Sequence, residues 1–211
     1  MQKSNFNHYI EDDIAITKWE TSGNKKIRIT FDTGVSCLLY KGEARRFRLT
    51  PEGTIDKTDY EQIMNEVLGK RAKKRALHLL EQMDRTEAGL REKLEAGEYP
   101  AECIEEAISY VKRFHYLDDA RYAQNYVRYK GEKMSRMQIK QKLSAKGISR
   151  EIIDLALEEQ YQGDETSQIQ KLLEKRGYSR ENCEQKEFQR TYQFLMRRGF
   201  RSSDVLSAMK S

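Results

Sequence analysis

Residues 143–157 read LSAKGISREIIDLAL, and the spacing of this stretch decides the fold. Leu143, Ile148, Ile153, Ala156 and Leu157 are apolar, and Gly147 punctuates them. Helical periodicity on both sides of a glycine, followed by Ser149, predicts one helix, a left-handed turn and a second helix capped by the serine. Residues 195–209, LMRRGFRSSDVLSAM, align without a gap and put Leu195, Gly199, Phe200, Val205, Ala208 and Met209 in the same slots. Residues 94–108, LEAGEYPAECIEEAI, supply Leu94, Tyr99, Ile104, Ala107 and Ile108. Here Glu98 stands in the glycine slot and Gly97 lies one place early, so the first turn is expected to differ. A period of about 50 residues points to stacked supersecondary units, each covering part of its neighbour's apolar stripe.

Working outward, each repeat reads as three helices. They fall near 71–83, 86–97 and 100–114, then 118–130, 135–146 and 149–160, then 164–176, 183–198 and 202–210. Asp118 can cap the fourth of these while Leu117 staples onto Tyr122; Ser135-Arg136-Met137-Gln138 is a capping box; Ser149 and Ser202 are candidate caps of the third helices. Upstream, Ile27, Ile29 and Phe31 alternate with polar residues, and Val35, Cys37 and Leu39 continue after Asp32-Thr33-Gly34, which predicts a β-hairpin. Residues 14–19 predict a third strand. Thr58-Asp59-Tyr60-Glu61 reads as a capping box opening a helical stretch to residue 83, with the possibility of a break near Gly69 left open. The expected architecture is mainly α: three tandem helix-turn-helix-like repeats in an elongated array behind a small β-rich region. The boundaries are 1–57, 58–117 with the linking helix and first repeat, 118–161, and 162–211.

Composition agrees. The 211 residues are 35% charged, with a net charge of +5 and a mean hydropathy of −0.89, as solvated helices with narrow apolar stripes require. Cys37, Cys103 and Cys183 form no CxxC, and Cys103 takes an apolar slot, so buried thiols in a reducing compartment are expected. No apolar run reaches membrane-spanning length and the first residues do not read as a signal peptide, which predicts a soluble cytoplasmic protein.

Residues 116–127 (YLDDARYAQNYV), 134–159 (MSRMQIKQKLSAKGISREIIDLALEE) and 194–209 (FLMRRGFRSSDVLSAM), with TEAGLREKL at 86–94, resemble the RecX family of recombination regulators across residues 71–211. The resemblance implies three three-helix repeats that bind the RecA recombinase, lie along the helical groove of the RecA–DNA filament and bridge neighbouring subunits. It also implies a place in DNA repair, recombination and the SOS response. ATP hydrolysis, strand exchange and coprotease activity would be restrained.

The charge pattern supplies candidate contacts. Arg128, Lys130, Lys133, Arg136, Lys140, Lys142, Lys146 and Arg150 face a single acid, Glu132, between positions 128 and 150. With Arg197 and Arg198 they predict a cationic surface for phosphates or for acidic patches on a filament. Lys70, Arg71, Lys73, Lys74 and Arg75 form a secondary cluster. Asp118-Asp119 is better explained by capping than by metal binding. Tyr122, Tyr126 and Tyr129 at helical spacing are expected in the core, with base stacking as the alternative. His8, His78 and His115 lack partners at ligand spacing, and no phosphate loop or nucleophile elbow is present. A non-enzymatic monomer without metal or cofactor follows, with RecA and single- or double-stranded DNA as partners. A helix-turn-helix protein acting directly on duplex DNA is the alternative.

Overall fold

The computed structural model describes residues 13–180 and 184–210; the first residues with His8, and residues 181–183 with Cys183 in the polar stretch near 180–185, lie outside them. Packing divides the chain into two units, Met1–Met83 with Leu90–Tyr116, and Asp84–Gly89 with Leu117–Ser211.

In the first unit the predicted hairpin is present as β2 (Lys26–Phe31) and β3 (Ser36–Tyr40), and β1 (Asp13–Ser22) pairs with β2. Two further elements are not predicted by the sequence pattern: a short helix α1 (Lys41–Arg46) and a fourth strand β4 (Thr54–Asp56). The sheet is antiparallel in the order β3-β2-β1-β4. Alternation works as expected: Ile27, Ile29, Phe31, Cys37 and Leu39 are buried on one face. The Phe31 ring meets Tyr60 edge-on at 5.0 Å, joining the sheet to the next helix. Its capping differs from expectation. Asp56, not Thr58, accepts the capping bond, from the Asp59 N–H at 2.8 Å, so α2 (Lys57–Gln62) starts before the threonine. A carboxylate at the end of β4 reaches the helix end sooner than the hydroxyl does.

The chain does not break at Gly69. It runs through a π-helical stretch, Ile63–Gly69, into α3 (Lys70–Gln82). A Cβ on Gly69 would lie 3.0 Å from Glu106 Oε2 and 3.1 Å from the Met64 carbonyl oxygen. That oxygen accepts from the Cys103 thiol at 3.4 Å. Both described cysteines are buried, and burial pushes Cys37 up to about 12 and Cys103 to about 11, as inert structural thiols require.

The repeat helices follow the predicted boundaries within a few residues. The first repeat comprises α3, α4 (Glu87–Glu95) and α5 (Ala101–Arg113). The second comprises α6 (Asp119–Lys130), α7 (Arg136–Ser144) and α8 (Arg150–Gln160). The third comprises α9 (Glu165–Arg176), α10 (Gln185–Arg197) and α11 (Ser202–Lys210). Asp118, Ser135 and Ser149 cap as predicted. Ser202 does not: it is already inside α11 and its hydroxyl meets Tyr192 OH at 2.9 Å. In the second repeat Ala123, Val127, Ile139, Leu143, Ile148, Ile153, Ala156 and Leu157 form one cluster, and in the third Ile169, Leu173, Leu195, Phe200, Val205 and Met209 form another.

Candidate partner-binding surface

Each repeat's turn must be held before its side chains can present a surface. Gly147 and Gly199 adopt φ of +81° and +76°. A Cβ on Gly147 would fall 2.3 Å from Ala88 Cβ, and one on Gly199 would fall 2.6 Å from Met137 Cβ. Ala88 and Met137 are each the second residue of their helix, α4 and α7. The residues just ahead of these helices act alike too. Thr86 Oγ1 donates to the Lys146 carbonyl at 2.8 Å, and Ser135 Oγ donates to the Arg198 carbonyl at 2.6 Å. Each hydroxyl also accepts from its own helix, from Gly89 N–H and Gln138 N–H. The Glu87 N–H bonds Asp119 Oδ1 at 2.9 Å, and the Arg136 N–H bonds Glu165 Oε1 at 2.8 Å. The same three-part joint therefore occurs twice in the second unit. It explains both acids of the Asp118-Asp119 motif: Asp118 caps α6, and Asp119 serves an N–H at the start of α4.

Glu98 shows what replaces the joint in the first unit. The expected change of turn does not occur, because Glu98 adopts φ of +58°, in the same left-handed region as the glycines. Its carboxylate receives Arg28 Nε at 2.5 Å and Nη2 at 2.9 Å from β2. These hydrogen bonds hold the Glu98 carboxyl below the usual glutamate range.

The predicted cations separate into two groups. Arg136 stacks on Tyr161, 4.5 Å from the ring centroid, and donates to the Leu157 carbonyl at 3.4 Å. Lys140 and Arg150 share Asp154, at 2.5 and 3.3 Å, and the Lys140 hydrogen bond is the leading cause of that carboxyl's lowered pKa. These three engage groups of their own repeat, although Arg136 and Arg150 remain exposed to solvent. Arg198 covers Phe194 at 4.5 Å. Lys133, Lys142 and Arg197 are exposed and make no ion pair among the described residues. Arg128 bonds the neutral Gln160, and Lys146 lies over the Tyr122 ring at 5.7 Å. The secondary cluster divides similarly. Arg71 bonds the Leu38 carbonyl and Glu43, Lys70 pairs with Glu66, and Lys73 with Glu106 at 2.7 Å, leaving Lys74 and Arg75 exposed without ion pairs among the described residues.

The tyrosines also divide. Tyr122 and Tyr126 are half-buried against the second repeat's core, with rings 6.4 Å apart and 17° from parallel. Tyr129 is not core: it is 77% exposed.

A cleft of about 680 Å³ lies beside the second joint, lined by Arg136, Lys140, Asp154, Tyr161, Glu165 and Asp204 among others. Its acids outnumber its cations, which disfavours a phosphate there. Among the described residues, no group of three His, Cys, Asp or Glu side chains could hold a metal, and no helix is long and apolar enough to cross a membrane.

Three tandem three-helix units, two of them tied by the same joint, define a helical-repeat protein. Family profiles for the first, second and third three-helix domains of RecX match residues 72–110, 118–157 and 164–209. The chain is 31% identical over 157 residues to the regulatory protein RecX of Caldanaerobacter subterraneus subsp. tengcongensis, covering 74% of this chain and 77% of that one. It is 35% identical over 133 residues to the regulatory protein RecX of Trichlorobacter lovleyi, covering 60% and 86%. A crystal structure of a regulatory protein RecX superposes with a TM-score of 0.63 at 26% identity, over 94% of this chain and all of that one. This chain belongs to the RecX family of regulatory proteins.

Proposed function

We propose that this protein binds the RecA–DNA filament along its helical groove and restrains ATP hydrolysis, strand exchange and SOS coprotease activity. The observation carrying this reading is the division of the cations. Lys133, Lys142 and Arg197 remain exposed without an ion pair among the described residues, on units whose turns are pinned by a repeated joint, in a chain whose relatives are named regulators. A filament repeats one subunit surface at fixed intervals. A chain of similar units can engage neighbouring copies together, and linked contacts raise the effective concentration of each next one. Preference for one filament state is enough to shift its activity, with no chemistry in the bound protein.

The test is co-sedimentation with cognate RecA filaments, with ATP hydrolysis measured in parallel. Charge reversal at Lys133, Lys142 and Lys146 is expected to weaken sedimentation and restore hydrolysis. Inhibition by the triple variant at the wild-type concentration overturns the surface assignment. Tight binding of one naked duplex sequence, with no preference for filaments, favours direct action on duplex DNA.

A further inference from the structure

Three aromatic rings, Tyr122, Tyr126 and Tyr129, lie on one side of α6. Their positions are spaced i, i+4 and i+7 and share a helix face. The first two are anchored on the core and nearly parallel. Tyr129 contributes little to that core, since 77% of it is exposed. It has no ring, ion-pair or hydrogen-bond partner among the described residues. A large aromatic presented in this way offers contact area with few rotamers to lose.

The sequence on either side of it is cationic. Arg128, Lys130 and Lys133 are exposed beside it in sequence, against one acid, Glu132. Lys146 stands over Tyr122 at the other end of the row. An apolar peptide would gain nothing from these charges. A duplex would offer its phosphates while keeping its base faces stacked inside. A single strand offers both phosphates and open base faces, and aromatic stacking accepts any base.

We propose that the Tyr129 end of this row is a stacking site for single-stranded nucleic acid, with Tyr129 against a base and Arg128, Lys130 and Lys133 beside the phosphates. This assignment names the strand contact within the filament reading and rests on that reading for its setting, but its chemistry is tested without RecA. Fluorescence anisotropy with labelled oligo-dT and with a matched duplex, using the full chain, gives the first readout. The wild type is expected to favour the single strand. Loss of one stacked base costs about 1–3 kcal/mol, so Tyr129→Ala should weaken oligo-dT binding by roughly 5- to 150-fold. Tyr129→Phe should stay within about twofold, because a ring without the hydroxyl still stacks. Tyr129→Trp gives a direct signal, with indole fluorescence quenched on adding oligo-dT beyond any change in wild-type Trp19. Since Tyr129 is exposed, thermal unfolding should match wild type in all three variants.

Wild-type affinity of Tyr129→Ala for oligo-dT, or equal wild-type affinity for duplex and single strand, overturns the site. Co-sedimentation of the same variants with RecA filaments separates the two readings. If wild type fails to sediment with filaments, the filament reading falls and the oligo-dT result still decides Tyr129. If Tyr129→Ala loses oligo-dT but keeps the filament, the stacking site stands and protein contacts hold the filament.

Discussion

A glutamate in a left-handed turn is an unusual choice, and Glu98 shows how one is tolerated. A non-glycine residue there costs about 1–2 kcal/mol relative to right-handed backbone. The return comes from its side chain, which reaches two guanidinium nitrogens of Arg28 in the sheet. Glu98→Gly removes the backbone cost and the ion pair together, so the folding midpoint should move little. Arg28→Met leaves the glutamate in its turn without the clamp and should lower the midpoint. In a Glu98→Gly background the same Arg28→Met should cost clearly less, a non-additivity that urea melts of the four proteins would measure. The pH dependence has a definite sign. Arg28 holds the Glu98 carboxyl below its ordinary 4.5, so the folded state prefers the ionised form. The clamp therefore contributes fully above that value and is lost as pH falls through the lowered one. The difference in midpoint between wild type and Arg28→Met should be largest at neutral pH and close as the solution is acidified. Equal differences at neutral pH and near pH 3 would show that the ion pair is not what holds the turn.

Among elements, the joint between a turn and the preceding helix matters more than either helix alone. Gly147 and Gly199 combine positive φ with a neighbouring side chain, Ala88 or Met137, so close that no methyl group fits. Gly177, at the end of α9, has φ of +67°, and a Cβ there would meet nothing within 4 Å. Gly177→Ala should thus cost only the conformational term, about 1–2 kcal/mol. Gly147→Ala and Gly199→Ala should cost about 1–3 kcal/mol beyond that, since a neighbour must move. Ser135→Ala removes a cap and leaves the Arg198 carbonyl without its hydroxyl donor, at a cost of about 1–2 kcal/mol. Chemical denaturation of the four variants checks the ranking. The helices are legible in the sequence because they follow local rules: apolar period, Ser or Asp caps and glycine stops. The joint is not, because Thr86, Asp119 and Glu165 act on partners about 30 to 60 residues away. The matching offsets of Thr86 and Ser135, each one place ahead of its helix, are the available signal. β4 leaves no pattern because three residues give alternation too little length, and Ser202 misleads because its hydroxyl is claimed by a tyrosine of α10. The cationic stripe is legible as composition only; that Asp154 takes Lys140 and Arg150, and Tyr161 takes Arg136, depends on how α7 and α8 pack.

For the whole molecule, net charge is a poor guide to binding, since the +5 total includes cations already committed to the fold. Salt dependence distinguishes the committed from the available. If Arg128, Lys130 and Lys133 each neutralise one phosphate of a single-stranded path, the logarithm of affinity should fall against the logarithm of salt with a slope of about −2. Replacing any one of them by glutamine should make that slope shallower by about 0.7. Arg136→Gln should behave differently. It removes the cation over Tyr161 and the bond to the Leu157 carbonyl, so it should lower the unfolding midpoint and leave the slope as it was. Oligo-dT binding titrated at several salt concentrations, beside a thermal melt of each variant, separates these roles. A slope near zero in the wild type would mean that the surface meets its partner through apolar or neutral contacts. A shallower slope in Arg136→Gln, with an unchanged midpoint, would return that arginine to the binding face.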